Sequence, residues 1–410
     1  MREAAGLNPI RRIEPRRITK RHVMSERIVI TGGGGIGCSI AYFLTQQGRT
    51  DREVWVIERD PTYRIASSAL SASSIRQQFS TPSCIQLSRF GYEFMRSIER
   101  DKARFGAGVD LTDCGYLFVG TSDQAPVLRK RTALARSMGV AIAERSPEEL
   151  MARYPWLNVS DLAYAAEGLS GEGWFDGYSL MQWYRNRARE AGVQFVTGDA
   201  AAYRTAGNRI THVELTDGRL IAGDQFVNAG GAWSSKLAST VGIDLPVRPR
   251  RRCAFVVSCP TAIPDLPILI DTSGIYLRRE QNHFLCIVSP SAEHDLDGLP
   301  LDVNFAEFDD VIWPTLAERI PAFEALRVEH AWAGYYEYNV LDHNGLVGRS
   351  GPENSFVAAG FSGHGMMHSP GVGRGVAELL SFGEYQTIDL TPLSADRIDT
   401  GNLVVEEAVY

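Results

Sequence analysis

The chain has 410 residues, 44% hydrophobic and 22% charged, proportions that exclude a disordered or fibrous protein and suit a fold of two or three domains. No run approaches the roughly 18 apolar residues of a membrane-crossing helix, so no transmembrane segment is expected. The 42 basic and 49 acidic residues give a formal charge of −7, too mild and too evenly spread to mark nucleic acid as a partner.

The first 24 residues carry seven basic residues against two acidic ones and lack the apolar core of a secretory signal. A disordered basic extension is expected at 1–24, or a start placed upstream of a truer one at Met24. Ile28-Val29-Ile30 then reads as a buried strand that runs into five glycines within six residues. Ile40, Ala41, Phe43 and Leu44 recur at helical spacing, and Val54-Trp55-Val56-Ile57 forms a second strand, which completes a βαβ unit. Ala66 to Ser74 is Ser-rich and reads as loop, and 85–105 reads as a helix. Farther on, Ile210 to Leu215, Leu220-Ile221 and Gln225-Phe226-Val227 read as a small antiparallel set around an Asp217-Gly218 turn. A second β-rich block covers Arg252 to Val257 and Ile275 to Val288. The last unit is a strand at Ser355 to Ala359, a Gly-rich turn, and a helix that begins near Gly371 and runs to about Phe382.

Gly32-x-Gly34-x-x-Gly37, with Gly35 and Ile36 inside the turn, follows a strand and opens a helix. Glu58 ends the next strand 21 residues after Gly37. This is the dinucleotide fingerprint in its required setting, in which glycines admit the tight turn, the close approach of pyrophosphate and the packing of helix on strand. The helix start presents N–H groups and partial positive charge to phosphate, and Glu58 can accept ribose hydroxyls. The motif alone leaves NAD and FAD both open. No Cys, His or acidic cluster has metal-ligand spacing. The six cysteines, Cys38, Cys84, Cys114, Cys253, Cys259 and Cys286, contain no C-x-x-C pair, which points to reduced thiols and a cytoplasmic protein.

Three further runs occur in order: Ala66-Ser67-Ser68 to Ser73-Ser74-Ile75-Arg76-Gln77-Gln78-Phe79, Asn228-Ala229-Gly230-Gly231-Ala232-Trp233-Ser234, and Gly360-Phe361-Ser362-Gly363-His364-Gly365. On these the chain resembles the D-amino-acid oxidase superfamily over roughly residues 25–390. It is most similar to the sarcosine oxidase, glycine oxidase and D-amino-acid dehydrogenase branch. The Ile75 to Phe79 run and Trp332-Ala333-Gly334-Tyr335 are especially like members related to the mitochondrial complex I assembly flavoprotein.

The resemblance implies an α/β fold: a Rossmann-type FAD-binding domain of discontinuous segments, 25–88, 155–240 and 328–390, and an α+β substrate domain, 89–154 and 241–327, whose mixed sheet covers the flavin. A C-terminal tail follows at 391–410. It also implies cofactor contacts from Arg59, Ser67, Ser68, Ser73, Ser74, Ile75, Ala200, Ala201, Ala229, Gly230, Trp233, Gly334, Gly363, His364, Gly365 and Met366. The expected reaction is hydride transfer from an amine-bearing carbon to FAD, leaving an imine that hydrolyses. The partners are thus a small amine or amino acid and oxygen or another electron acceptor. Arg76 matches a substrate-carboxylate arginine, although a surface or phosphate-facing role also fits. Tyr276 and Tyr335 or Tyr336 match aromatic pocket walls, a place for which core packing competes. His364 suits either proton transfer or a hydrogen bond to neighbouring backbone. Ala333-Gly334 stands where monomeric sarcosine oxidase has its flavin-linking cysteine, which implies FAD held without a covalent bond. Cys286 and Met367 fall where that enzyme places two lysines, and their loss weakens the case for oxidase activity and for sarcosine. The alternative function is a flavoprotein whose main role is to bind a partner in assembly.

Overall fold

The computed structural model describes residues 25–408, so the basic leader lies outside the described residues. Its frame is a six-stranded sheet in the order Leu346–Arg349, Ser355–Ala359, Gln225–Asn228, Glu26–Thr31, Arg52–Glu58 and Gln194–Thr197. All neighbours are parallel except the first pair. Ile28, Val29 and Ile30 are fully buried, as a central parallel strand covered on both faces requires. Gln225–Asn228 corrects the expected antiparallel set, because it pairs in parallel with Glu26–Thr31. Its side chains explain the difference, since Phe226 and Val227 are fully buried and fit only a sheet covered on both sides. The antiparallel set is instead Ala200–Ala206, Arg209–Leu215 and Leu220–Ala222.

Four strands of the large sheet end in turns at one edge: Thr31 before the Gly32 turn, Glu58 before Arg59, Asn228 before Ala229, and Ala359 before Gly360. Ligands of such sheets bind at the carboxyl ends of the strands, where the strand order reverses. Helix Gly35–Thr45 packs its apolar Ile40, Phe43 and Leu44 inward. It crosses helix Gly365–Phe382 so closely that a Cβ on Gly373 would lie 2.1 Å from Ser39 Oγ.

The last helix begins at Gly365, before Pro370 rather than after it. The glycines from Gly360 to Gly373 read as a turn, which is why the sequence places the start near Gly371, although a proline is most at home in the first turn of a helix. The carbonyl of Met366, which loses its donor to Pro370, instead accepts the Ser369 hydroxyl at 2.8 Å. The earlier start puts the positive end of the helix directly at the Gly363 turn.

A second, eight-stranded sheet is mixed, in the order Arg327–Asn339, Val247–Ser258, His283–Ile287, Tyr276–Glu280, Ile268–Ile270, Tyr116–Gly120, Tyr164–Gly168 and Ile142–Arg145. Alternation sorts its faces. Leu117, Leu277 and Phe255 join one apolar cluster with Phe308, Leu316 and Phe323, and Tyr116, Tyr276 and Ala254 join the cluster shared with the nucleotide-binding unit. Two segments expected in the FAD domain therefore contribute to the other sheet, Tyr164–Gly168 from 155–240 and Arg327–Asn339 from 328–390. The second pairs with Val247–Ser258 along its whole length, a non-local register with no local signal.

The C-terminal stretch is not a loose tail. Arg397 forms a buried ion pair with Asp342 at 2.6 Å, and the Glu406 carboxylate accepts the backbone N–H and the hydroxyl of both Ser80 and Thr81. No helix among the described residues is long and apolar enough to cross a membrane, and all six cysteines are free.

Candidate functional site

Two adjoining cavities, about 930 and 1190 Å³ with their mouths included, run between the two sheets and share Ile36, Ser67, Ser68 and Glu337. Together they form one elongated channel, longer than a small substrate alone would fill.

At one end the walls are the carboxyl-terminal turns of the large sheet, with Gly32, Gly34, Gly35, Glu58, Arg59, Ala200, Ala229, Gly230 and Trp233. Gly32 has φ +101°, and a Cβ there would lie 2.2 Å from the Ala229 carbonyl oxygen, so only glycine lets these two turns meet. No side chain caps helix Gly35–Thr45, and Gly35 N–H donates to Ser68 Oγ at 2.8 Å. Glu58 accepts the N–H of Gly33 at 2.8 Å and of Asp60 at 2.9 Å. Burial raises its proton affinity, and the Asp60 and Gly33 N–H groups oppose that rise. The Arg59 guanidinium lies 3.4 Å from the centre of the Trp233 ring, which gives this end a flat wall. Gly37 does not line the channel. It admits the helix instead, since a Cβ there would sit 1.9 Å from the Gly32 carbonyl oxygen. Ala201 is exposed and lines neither cavity, because a register shift between Ala200 and Ala202 turns it outward.

At the other end, Ser73, Ser74, Arg76, Tyr276, Gly334, Tyr336, Gly363, His364, Gly365 and Met366 come together as the sequence predicts. Ile75 instead points into the core, fully buried between Ser74 and Arg76. The Gly363 main chain lies against Tyr336, with a would-be Cβ 2.6 Å from its ring. Of the two candidate tyrosines, Tyr336 therefore meets the turn. Tyr335 donates its hydroxyl to the Leu299 carbonyl at 2.7 Å and edges onto Trp233. Tyr276 lines the cavity, and its hydroxyl is closed off from solvent without a hydrogen-bond partner.

Arg76 is 4% exposed and lies 4.0 Å from the centre of the Phe79 ring. It donates to the carbonyls of Gln78, at 3.0 Å, and of Ala408, and meets His364 Nε2 at 2.9 Å. A guanidinium can only donate, so Nε2 accepts and the His364 proton sits on Nδ1. Burial first, then Arg76, holds His364 well below the usual imidazole range. Its lone pair is already engaged, which fits a neutral orienting group better than a base.

Several site residues carry no sequence signal. Tyr116 donates to Ser74 Oγ at 2.5 Å and adjoins Tyr276. Arg252 lies 5.1 Å from the Tyr336 ring and is held by Asp295 through two hydrogen bonds of 2.7 and 3.1 Å. Glu337 stands where the two cavities meet. Each reaches the site through strand pairing across distant segments, for which the sequence holds no local signal.

The comparisons with known proteins agree with this geometry. The family model described as "DAO: FAD dependent oxidoreductase" matches residues 27–379. The chain belongs to this family of FAD-dependent oxidoreductases. A relative named FAD-dependent oxidoreductase domain-containing protein 1, from Xenopus laevis, is 39% identical, and the match covers 90% of this chain and 82% of that one. Among solved structures, L-proline dehydrogenase from P. horikoshii superposes with a TM-score of 0.80 at 24% identity, covering 93% of this chain and 99% of its own. Glycine oxidase from Geobacillus kaustophilus superposes with a TM-score of 0.76 at 23% identity, covering 90% and 98%. FAD is thus the nucleotide that the fingerprint leaves undecided, and the channel fits it. The uncapped helix start and the Gly32 to Gly35 turn would hold the diphosphate, Glu58 the adenosine ribose, and the Gly363 to Met366 turn the flavin end.

Proposed function

We propose that the protein oxidises the C–N bond of an amino acid or N-substituted amine, as a dehydrogenase rather than an efficient oxidase. FAD supplies the acceptor for a hydride leaving the carbon that bears nitrogen. The observation that carries this reading is the flavin-end cavity, where the Gly363 turn faces a wall of Tyr116, Tyr276, Tyr336, Arg76 and Arg252. The buried Arg76 guanidinium favours a carboxylate on the substrate and a neutral amine nitrogen over an ammonium, because like charge in a poorly solvated site is costly, while Arg252 is already paired with Asp295. The Tyr116, Tyr276 and Tyr336 rings wall such a substrate in and exclude water from it. The L-proline dehydrogenase and glycine oxidase names among the structural relatives support the amino-acid class.

Non-covalent FAD is part of this proposal. Gly334 lines the cavity, and the Cys253 thiol turns to the opposite face, where it accepts the Asn304 N–H at 3.4 Å. Support for a dehydrogenase comes from the lining residues, which include Met367 but no lysine, while Cys286 is buried in the opposite core.

The test is anaerobic. Purified holoprotein is mixed with a panel of amino acids and secondary amines while the visible absorbance of the flavin is followed. Bleaching by at least one carboxylate-bearing amine, with faster reoxidation by an artificial acceptor than by oxygen, supports the proposal. No bleaching across the panel overturns it in favour of a flavoprotein that serves chiefly as a binding partner. One observation favours that second reading, namely that the Ala408 carbonyl of the same chain already accepts a hydrogen bond from Arg76.

A further inference from the structure

Glu337 is the only carboxylate among the residues lining the flavin-end cavity, and it also lines the adenosine end. It projects from the long strand Arg327–Asn339 opposite Pro249. Its Oε2 accepts the N–H of Gly360 at 3.0 Å and would lie 3.8 Å from a Cβ on Gly231, while its Oε1 would lie 3.0 Å from a Cβ on Gly365. The carboxyl group therefore stands between the turn that follows strand Gln225–Asn228 and the first residue of the last helix. Because Glu58 marks one end of the channel and Tyr336 the other, the part of a dinucleotide that must cross this junction is the ribityl–diphosphate link.

We propose that Glu337 positions the cofactor at the ribityl–diphosphate link and holds a proton when FAD is bound, so that FAD binding takes up one proton from solvent. The reasoning is electrostatic. An ionised carboxylate beside a diphosphate in a poorly solvated channel is repelled, whereas a protonated one donates a hydrogen bond to a ribityl or phosphate oxygen. Burial has already raised the Glu337 carboxyl to about 7, against the opposing pull of the Gly360 and Phe361 N–H groups, so the protonated form is within reach near neutrality.

The surrounding charges do not cancel this repulsion. On the facing strand, Arg250 and Arg252 are paired with Asp297 and Asp295. On its own strand, burial raises the phenols of Tyr336 and Tyr338 above their usual range, so both stay neutral. His364 in the Gly363 turn is unprotonated. The first turn of the last helix holds no acidic group. Arg59 beside Trp233 belongs to the adenosine end. The inference rests on FAD binding and not on the amine-oxidation reading, so either can fail without the other.

The test reads FAD affinity rather than turnover. Full-length holoprotein is diluted at pH 6 to 9, and released FAD is measured by its recovered fluorescence, for the natural chain and for Glu337→Gln. The expected result is an apparent Kd that is level at the acid end and rises toward tenfold per pH unit above neutrality, with a flat profile for Glu337→Gln. A level profile in the natural chain, or a slope that survives the substitution, overturns the proposal. If the variant does not fold, calorimetric titration of the FAD-depleted natural chain in two buffers of different ionisation enthalpy decides the matter. Uptake close to one proton per FAD at pH 8 supports the proposal, and none overturns it.

Discussion

Arg76 and Tyr276 share a cavity wall but differ in their hydrogen bonds. Arg76 satisfies the carbonyls of Gln78 and Ala408 as well as His364, whereas the Tyr276 hydroxyl satisfies nothing. Arg76→Ala leaves buried acceptors without a donor and is expected to cost about 1–3 kcal/mol of stability in addition to weakening any carboxylate ligand. Tyr276→Phe removes an unpaired buried hydroxyl and is expected to leave the melting temperature unchanged or slightly raised. Thermal melts of both variants with FAD bound check this contrast, and a large loss for Tyr276→Phe would contradict it. A raised Michaelis constant for Tyr276→Phe would then report contact with substrate, not damage to the fold.

At the scale of elements, legibility followed the range of the interactions. The opening βαβ unit, with its strand, glycine turn, helix and terminal Glu58, was readable because every part acts on its near neighbours. The last helix is legible in part: its body is clear, but the glycines through Gly373 read as turn and conceal its start at Gly365, where Ser369 replaces the backbone donor lost at Pro370. Strand Gln225–Asn228 was assigned to the wrong partner, because three residues of apolar sequence do not say whether their neighbour is near or far in the chain. Residues Ser74, Arg76, Tyr276, Tyr336 and Gly363 were found through resemblance, and the structure brings them to one cavity. Tyr116, Arg252 and Glu337 carry no sequence signal, because only sheet register places them there. The crossing of the first and last helices makes a sharp demand. Gly373→Ala sets a Cβ 2.1 Å from Ser39 Oγ and 2.8 Å from Ser39 Cβ. Overpacking of this kind is expected to cost about 1–3 kcal/mol and to loosen FAD, since both helices start at the channel. The check is a parallel measurement of melting temperature and FAD release.

For the whole molecule, two buried histidines make stability depend on acid. His368 is lowered to about 3, by burial first and then by Arg76, and His364 is also held low. In the unfolded chain each takes a proton near pH 6.5, but in the folded protein neither does until far lower, so the unfolded state binds more protons throughout that interval. Stability present above about pH 6.5 is therefore expected to fall as pH drops toward 3, by about 1.4 kcal/mol per pH unit for each histidine. Denaturant titrations at pH 7, 6, 5 and 4 on the natural chain and on His368→Asn check the slope, which is expected to be shallower in the variant. Segments far apart in the chain alternate between the two sheets, and the channel runs along their common seam.

The hydrogen bond from Arg76 to the Ala408 carbonyl brings the last described residue against a guanidinium of the pocket wall. Any acidic visitor seeking that guanidinium must first evict or share with the resident peptide, so its measured affinity is the net of two rival grips. Preference among acidic ligands would then be set partly by a stretch of chain that does not line the cavity.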